Sequence, residues 1–195
     1  MEAVMQQQQP RPQRVPVVPN AMLGMLVFIV AEIMFFAGLI SAYTISKANT
    51  AMGMWPPPGQ PLLPAAATAV NTGVLLVSGV LMFVGYRFFR AAPKSATWLY
   101  LSGFVLGTAF VVLQGREWAA LLSQGMTLTS SALGAFFYLI VGAHAAHAVV
   151  CIVAMAVGFV KLQRGTLSKE FYLATLTFWT FVVAAWPIIY FRVYF

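Results

Sequence analysis

The chain has 195 residues, 61% of them hydrophobic, and carries 11 basic and 4 acidic side chains. Soluble domains are about 25% charged, whereas here the fraction is 8%, too little to cover a water-facing surface of this size. That balance argues against a soluble globule, a nucleic-acid-binding domain and a disordered chain. The length allows one domain or at most two small ones.

The first twenty residues, with Gln6–Gln9 and four prolines, read as a disordered or extended tail. They do not resemble a signal peptide, because the apolar block behind them is of full membrane length and lacks a clear small-residue cleavage site. A helix crossing a ~30 Å hydrocarbon core needs about 20 apolar residues. Ala21–Tyr43 meets that requirement with one charge, Glu32. Ala65–Tyr86 and Ser95–Gly115 meet it with none. Trp118–Val160 is also uncharged but too long for one crossing. Its polar stretch from Ser123 to Ser131 marks a loop, and Ala132–Val160 follows as a fourth helix. Phe171–Phe191 supplies the fifth. The fold expected is all-α, a polytopic membrane protein in which residues 21–195 form a single five-helix transmembrane domain. Its helices are expected near 21–46, 64–89, 95–121, 131–160 and 170–194.

The connectors fit this reading. Trp55-Pro-Pro-Pro-Gly-Gln-Pro-Leu-Leu-Pro64 cannot be helical through its prolines and reads as a rigid loop. No internal repeat suggests the inverted symmetry of many transporters. Arg11, Arg14, Arg87, Arg90, Lys94, Lys161, Arg164 and Lys169 share one side, against Lys47, Arg116 and Arg192 on the other. The net charge of +7 therefore speaks to topology rather than to nucleic acid, with the N-terminus inside and the C-terminus outside. Trp55, Trp98, Trp118 and Tyr194 fall near the expected interfaces. Gly73, Gly79, Gly103, Gly107, Gly134 and Gly142 allow close helix approach.

Few residues can carry chemistry. One cysteine, Cys151, excludes a disulfide framework and a Cys-x-x-Cys redox pair, and in apolar surroundings it packs as a small inert residue. The carboxylates are Glu2, Glu32, Glu117 and Glu170, there is no aspartate, and there are two histidines. Glu32 lies about ten residues into the first helix, roughly 15 Å deep, where a carboxylate must be protonated, hydrogen-bonded to another helix, or beside water. Proton handling is one reading, and an interhelical hydrogen bond that only fixes packing is the other. His144 and His147, three residues apart, share one face of the fourth helix. They could hold half a metal site, but no third ligand stands at comparable spacing, so hydrogen bonds to Glu32 or Glu117 are favoured. Glu117 and Arg116, near the outer end of the third helix, read as interface anchors or interhelical partners.

The motifs go further. Ala31-Glu-Ile-Met-Phe-Phe-Ala-Gly-Leu-Ile-Ser-Ala-Tyr43 resembles the glutamate-bearing helix of subunit III of cytochrome c oxidases. Trp55-Pro-Pro-Pro, Asn71-Thr-Gly-Val-Leu-Leu-Val-Ser78, Leu106-Gly-Thr-Ala-Phe-Val-Val-Leu-Gln-Gly-Arg-Glu-Trp118 and Gly134-Ala-Phe-Phe-Tyr-Leu-Ile-Val-Gly-Ala-His-Ala-Ala-His147 follow in the family's order. Together they cover nearly everything beyond the tail and resemble the short, five-helix bacterial form. One departure stands in the last helix, Phe178-Trp-Thr-Phe-Val-Val-Ala-Ala-Trp186, where Thr180 and Val183 replace a histidine and an aspartate usual in the family.

The resemblance implies an accessory subunit with no catalytic site and no haem or copper of its own. Such a chain packs against the haem-copper catalytic subunit I and other oxidase subunits, holds lipids, and helps sustain proton uptake and turnover in aerobic respiration. It implies a multi-pass place in the bacterial plasma membrane. The residue inventory agrees, since two haems and a copper need about six histidine ligands and a dinuclear copper centre needs paired thiolates. The equivalent subunit of a quinol oxidase or nitric oxide reductase is the nearest alternative. A small proton-coupled transporter using Glu32 is a more distant one.

Overall fold

The computed structural model describes residues 20–50, 55–56 and 59–195. The expected tail, up to residue 19, and part of the proline-rich loop lie outside the described residues. Five helices account for nearly all the rest, with no strand among the described residues: α1 (Asn20–Ala48), α2 (Ala65–Phe88), α3 (Pro93–Ser123), α4 (Ala132–Gln163) and α5 (Lys169–Val193). Each is long and apolar enough to cross a membrane. The chain is a multi-pass membrane protein with the five-helix bundle its hydropathy demands.

Local chemistry sets the helix ends. Ser131 Oγ accepts from the Gly134 N–H at 3.0 Å, and Ser168 Oγ accepts from the Phe171 N–H at 3.1 Å, capping α4 and α5. Pro93 begins α3, where its missing N–H has no helical partner to lose. Gly125 and Gly165 follow the last turns of α3 and α4 with φ of +85° and +68°. There the Met126 N–H reaches the Leu121 carbonyl at 3.0 Å and the Thr166 N–H reaches that of Lys161 at 2.9 Å. Both ends are thus closed by the left-handed glycine motif.

α5 is the most buried helix and packs against α1, α2 and α4. Tyr172, Trp179, Trp186 and Val193, seven residues apart, are all buried on one face of it, the spacing of a left-handed helix–helix seam. Polar atoms stitch that seam to antiparallel α2. Tyr172 Oη donates to the Met82 carbonyl at 3.2 Å and Trp179 Nε1 to Ser78 Oγ at 3.1 Å. Trp186 Nε1 donates to Thr72 Oγ1 at 2.8 Å, and Tyr190 Oη to the Ala65 carbonyl at 2.9 Å. Without water to compete, such contacts and tight packing supply the association energy inside a membrane.

α2 and α3 pack most closely. Ser78 Oγ donates to the Gly103 carbonyl at 2.6 Å, and a side chain at Gly103 or Gly107 would strike Met82 or Trp179. Gly79 presses on Val183 in the same way, whereas Gly73 faces open space and takes no part in packing. α1 stands at the edge, touching α4 and α5, and exposes Leu23, Val27, Val30 and Met34.

Candidate functional site: a carboxyl–imidazole pair at mid-membrane

Glu32 sits about 18 Å along α1 from its start at Asn20, near the helix midpoint. Across the α1–α4 contact lies His147, at the midpoint of α4. Glu32 Oε2 and His147 Nε2 are 3.0 Å apart, with side-chain exposures of 18% and 16%. The rings of Phe28, Phe36, Phe178 and Phe181 stand around the imidazole with centroids 5.6–6.3 Å away. α1 and α5 thereby wall the pair in with hydrocarbon.

The other imidazole nitrogen fixes the protonation pattern. His147 Nδ1 lies 2.7 Å from the Ala143 carbonyl, one helical turn back. A carbonyl only accepts, so Nδ1 carries a hydrogen. Nε2 then shares a single proton with Glu32, either as a neutral acid donating to a neutral imidazole or as a carboxylate facing an imidazolium. The pair is electrically neutral in both arrangements, which suits its depth.

His144 does not join the pair. It points toward Phe110 and Trp186, with ring centroids 6.5 and 4.9 Å away, and is fully buried. Both rings also lie beside Phe36 of α1, 6.3 Å from His144 and 5.6 Å from His147, so what separates the two histidines is the contact with Glu32 that His147 alone makes. Among the described residues, no group of three or more His, Cys, Asp or Glu comes together.

Glu117 belongs to a second polar cluster nearer the end of the bundle where α1, α3 and α5 terminate. Its Oε2 accepts from Thr68 Oγ1 at 2.7 Å and from Gln114 Nε2 at 3.0 Å. Gln114 Nε2 also donates to Tyr194 Oη at 3.1 Å, and Asn71 Nδ2 donates to Gln114 Oε1 at 3.2 Å. Glu117 thus ties α2, α3 and the end of α5 together, and Arg116 beside it points outward. Thr68, Asn71 and Gln114 carry this cluster without having been singled out in the sequence. Their signal was present, as Thr68 and Asn71 stand one turn apart on α2, and Gln114 one turn before Glu117 on α3.

Thr180 and Val183 occupy separate surroundings. Thr180 Oγ1 folds back onto the Leu176 carbonyl at 2.8 Å, and Val183 packs against Gly79 of α2. Neither reaches the Glu32–His147 pair through a hydrogen bond.

Comparison with known proteins decides the family. The family model described as Cytochrome c oxidase subunit III matches residues 9–195. This chain belongs to the cytochrome c oxidase subunit III family. It is 32% identical to cytochrome c oxidase subunit 3 of Corynebacterium diphtheriae, over 94% of this chain and 93% of that one. It is 31% identical to the probable subunit 3 of Nocardia farcinica, over 91% and 89%. A snake protein, subunit 3 of Lycodon semicarinatus, is 31% identical over 90% of this chain and 69% of its own length. As a subunit III, the chain is part of a respiratory-chain complex with other oxidase subunits, as the motif order implied.

Proposed function

We propose that this subunit III is a cofactor-free accessory subunit of an aerobic bacterial cytochrome c oxidase. It lies in the plasma membrane with its N-terminus inside, packs against the haem-copper catalytic subunit I that carries the haems and copper, and supports proton uptake and sustained turnover. The neutral Glu32–His147 pair carries this reading. It fastens the sparsely packed α1 to α4 while keeping one proton inside the membrane. Among the described residues the pair's hydrogen bonds end at the Ala143 carbonyl, so the support runs through the shape and polarity this chain presents to its neighbour. A cleft of about 310 Å³ between α1 and α5, lined by Ile33, Ala37, Ile188 and other apolar side chains, suits a phospholipid acyl chain.

Deleting the subunit should leave an assembled catalytic subunit with unshifted haem bands and working initial electron transfer, but with lower sustained turnover or proton uptake. The optical spectrum and turnover record of the deletion strain's oxidase test this together. Displaced haem bands would show that the chain shapes the redox centre directly, and unchanged turnover would remove the supporting role.

A further inference from the structure

His144 has no part in the pair, yet it is 1% exposed and sits at mid-membrane. Neither of its ring nitrogens meets a hydrogen-bonding group among the described residues. A neutral imidazole carries one N–H and one lone pair, and a buried polar edge without a partner is costly. The same is true of Trp118 on α3, whose buried indole Nε1 also lacks a protein acceptor. Both side chains line one cavity of about 190 Å³ between α3, α4 and α5. Gln114 lines it as well. Both of its amide hydrogens are directed at Glu117 and Tyr194, while Oε1 accepts from Asn71 and retains a second lone pair.

The side chains around this cavity therefore include an indole donor, an imidazole that both donates and accepts, and an amide acceptor. We propose that this cavity is a buried water site, in which a small number of ordered water molecules bridge His144 and Trp118 and reach toward Gln114. A water needs about 10–15 Å³ of accessible space and two to four polar partners; the cavity gives the space, and a small turn of the His144 and Trp118 rings toward it gives the partners. No carboxylate or thiol lines the cavity, which disfavours a metal cation. An acyl chain would leave the His144 nitrogens and the Trp118 indole N–H without partners, which disfavours it as the occupant. The bridge extends the hydrogen bonds of the Glu117 cluster inward to mid-membrane through α4, on the side of that helix away from the Glu32–His147 pair.

The full chain, labelled with ¹⁵N in its histidines and tryptophans and held in lipid nanodiscs, supplies the test by water-edited solid-state NMR. There are only two histidines, so one His147→Gln sample assigns both. Magnetisation from water should reach the His144 imidazole and the Trp118 indole. It should not reach the indoles of Trp179 and Trp186, which are bonded to Ser78 and Thr72. Ala145→Leu places bulk in the cavity without altering a polar residue and should abolish both transfers, and Val111→Phe provides the same filling from α3 should the first variant not fold. No transfer to either ring, or transfer that survives a folded filling variant, would overturn the proposal. So would transfer to His144 and Trp118 alike in strength to that at Trp179 and Trp186.

Discussion

A carboxyl group at mid-membrane must end in a hydrogen bond, and Glu32 finds its bond on His147. The Ala143 carbonyl holds the imidazole so that Nε2 faces α1. Glu32→Gln should preserve assembly and the haem spectrum, because an amide N–H still donates to Nε2. Glu32→Leu strands Nε2 and should destabilise the subunit by roughly 1 kcal/mol, the usual worth of a polar contact inside a bundle. Thermal denaturation of the purified complex distinguishes the two variants, and equal melting would show that the pair contributes nothing to packing. Glu32 was legible from sequence because it is the lone charge in an apolar span. The choice between His144 and His147 was not. Three residues of helix leave the two rings roughly 60° apart on one broad face, and only the positions of the neighbouring helices decide which of them meets Glu32.

At the scale of elements, the five spans follow from hydropathy alone, but the seam between α2 and α5 does not. Its aromatic residues recur every seven positions, yet aromatics also fill the rest of α5, so the buried line emerges only once α2 supplies Ser78 and Thr72 as acceptors. The indole of Trp186 should prove replaceable at modest cost. Trp186→Phe keeps most of the apolar contact and loses one hydrogen bond, worth about 1 kcal/mol, while Thr72 Oγ1 retains its bond to the Thr68 carbonyl. The glycines make a sharper comparison. A Cβ at Gly107 would come within 2.6 Å of the Trp179 ring, whereas one at Gly73 meets nothing within 4 Å. Gly107→Ala should therefore destabilise the bundle by about 1–3 kcal/mol through overpacking. Gly73→Ala should be neutral or stabilise by roughly 0.5–1 kcal/mol through helix propensity. Melting curves of the two single variants in the same lipid check this, and the opposite ranking would mean that α3 and α5 pack differently. Sequence reading grouped these glycines together because spacing cannot tell a helix–helix contact from a lipid-facing turn.

Across the whole molecule, the ends of the helices bear on how the bundle sits in its membrane. Lys47 Nζ donates to the Phe195 backbone oxygen at 2.6 Å, and Tyr43 Oη to the Val193 carbonyl at 3.3 Å. The C-terminal ends of α1 and α5 therefore share one face of the bundle. Glu117 and Tyr194 bring the end of α3 and the start of α2 to that same face through Gln114 and Thr68. Basic residues on it are Lys47, Arg116 and Arg192, while the opposite face gathers Arg87, Arg90, Lys94, Lys161, Arg164 and Lys169 in and beside two short turns. Short loops of this kind are the ones in which basic residues govern insertion, with the richer side retained in the cytoplasm. That rule predicts the Glu117 cluster toward the outer surface and Phe195 on the periplasmic side. A C-terminal alkaline phosphatase fusion should be active and a C-terminal cytoplasmic reporter silent, with the reverse for the turn between Phe88 and Pro93. An inactive phosphatase together with a bright cytoplasmic reporter at the C-terminus would invert the bundle and place the Glu117 cluster on the cytoplasmic side.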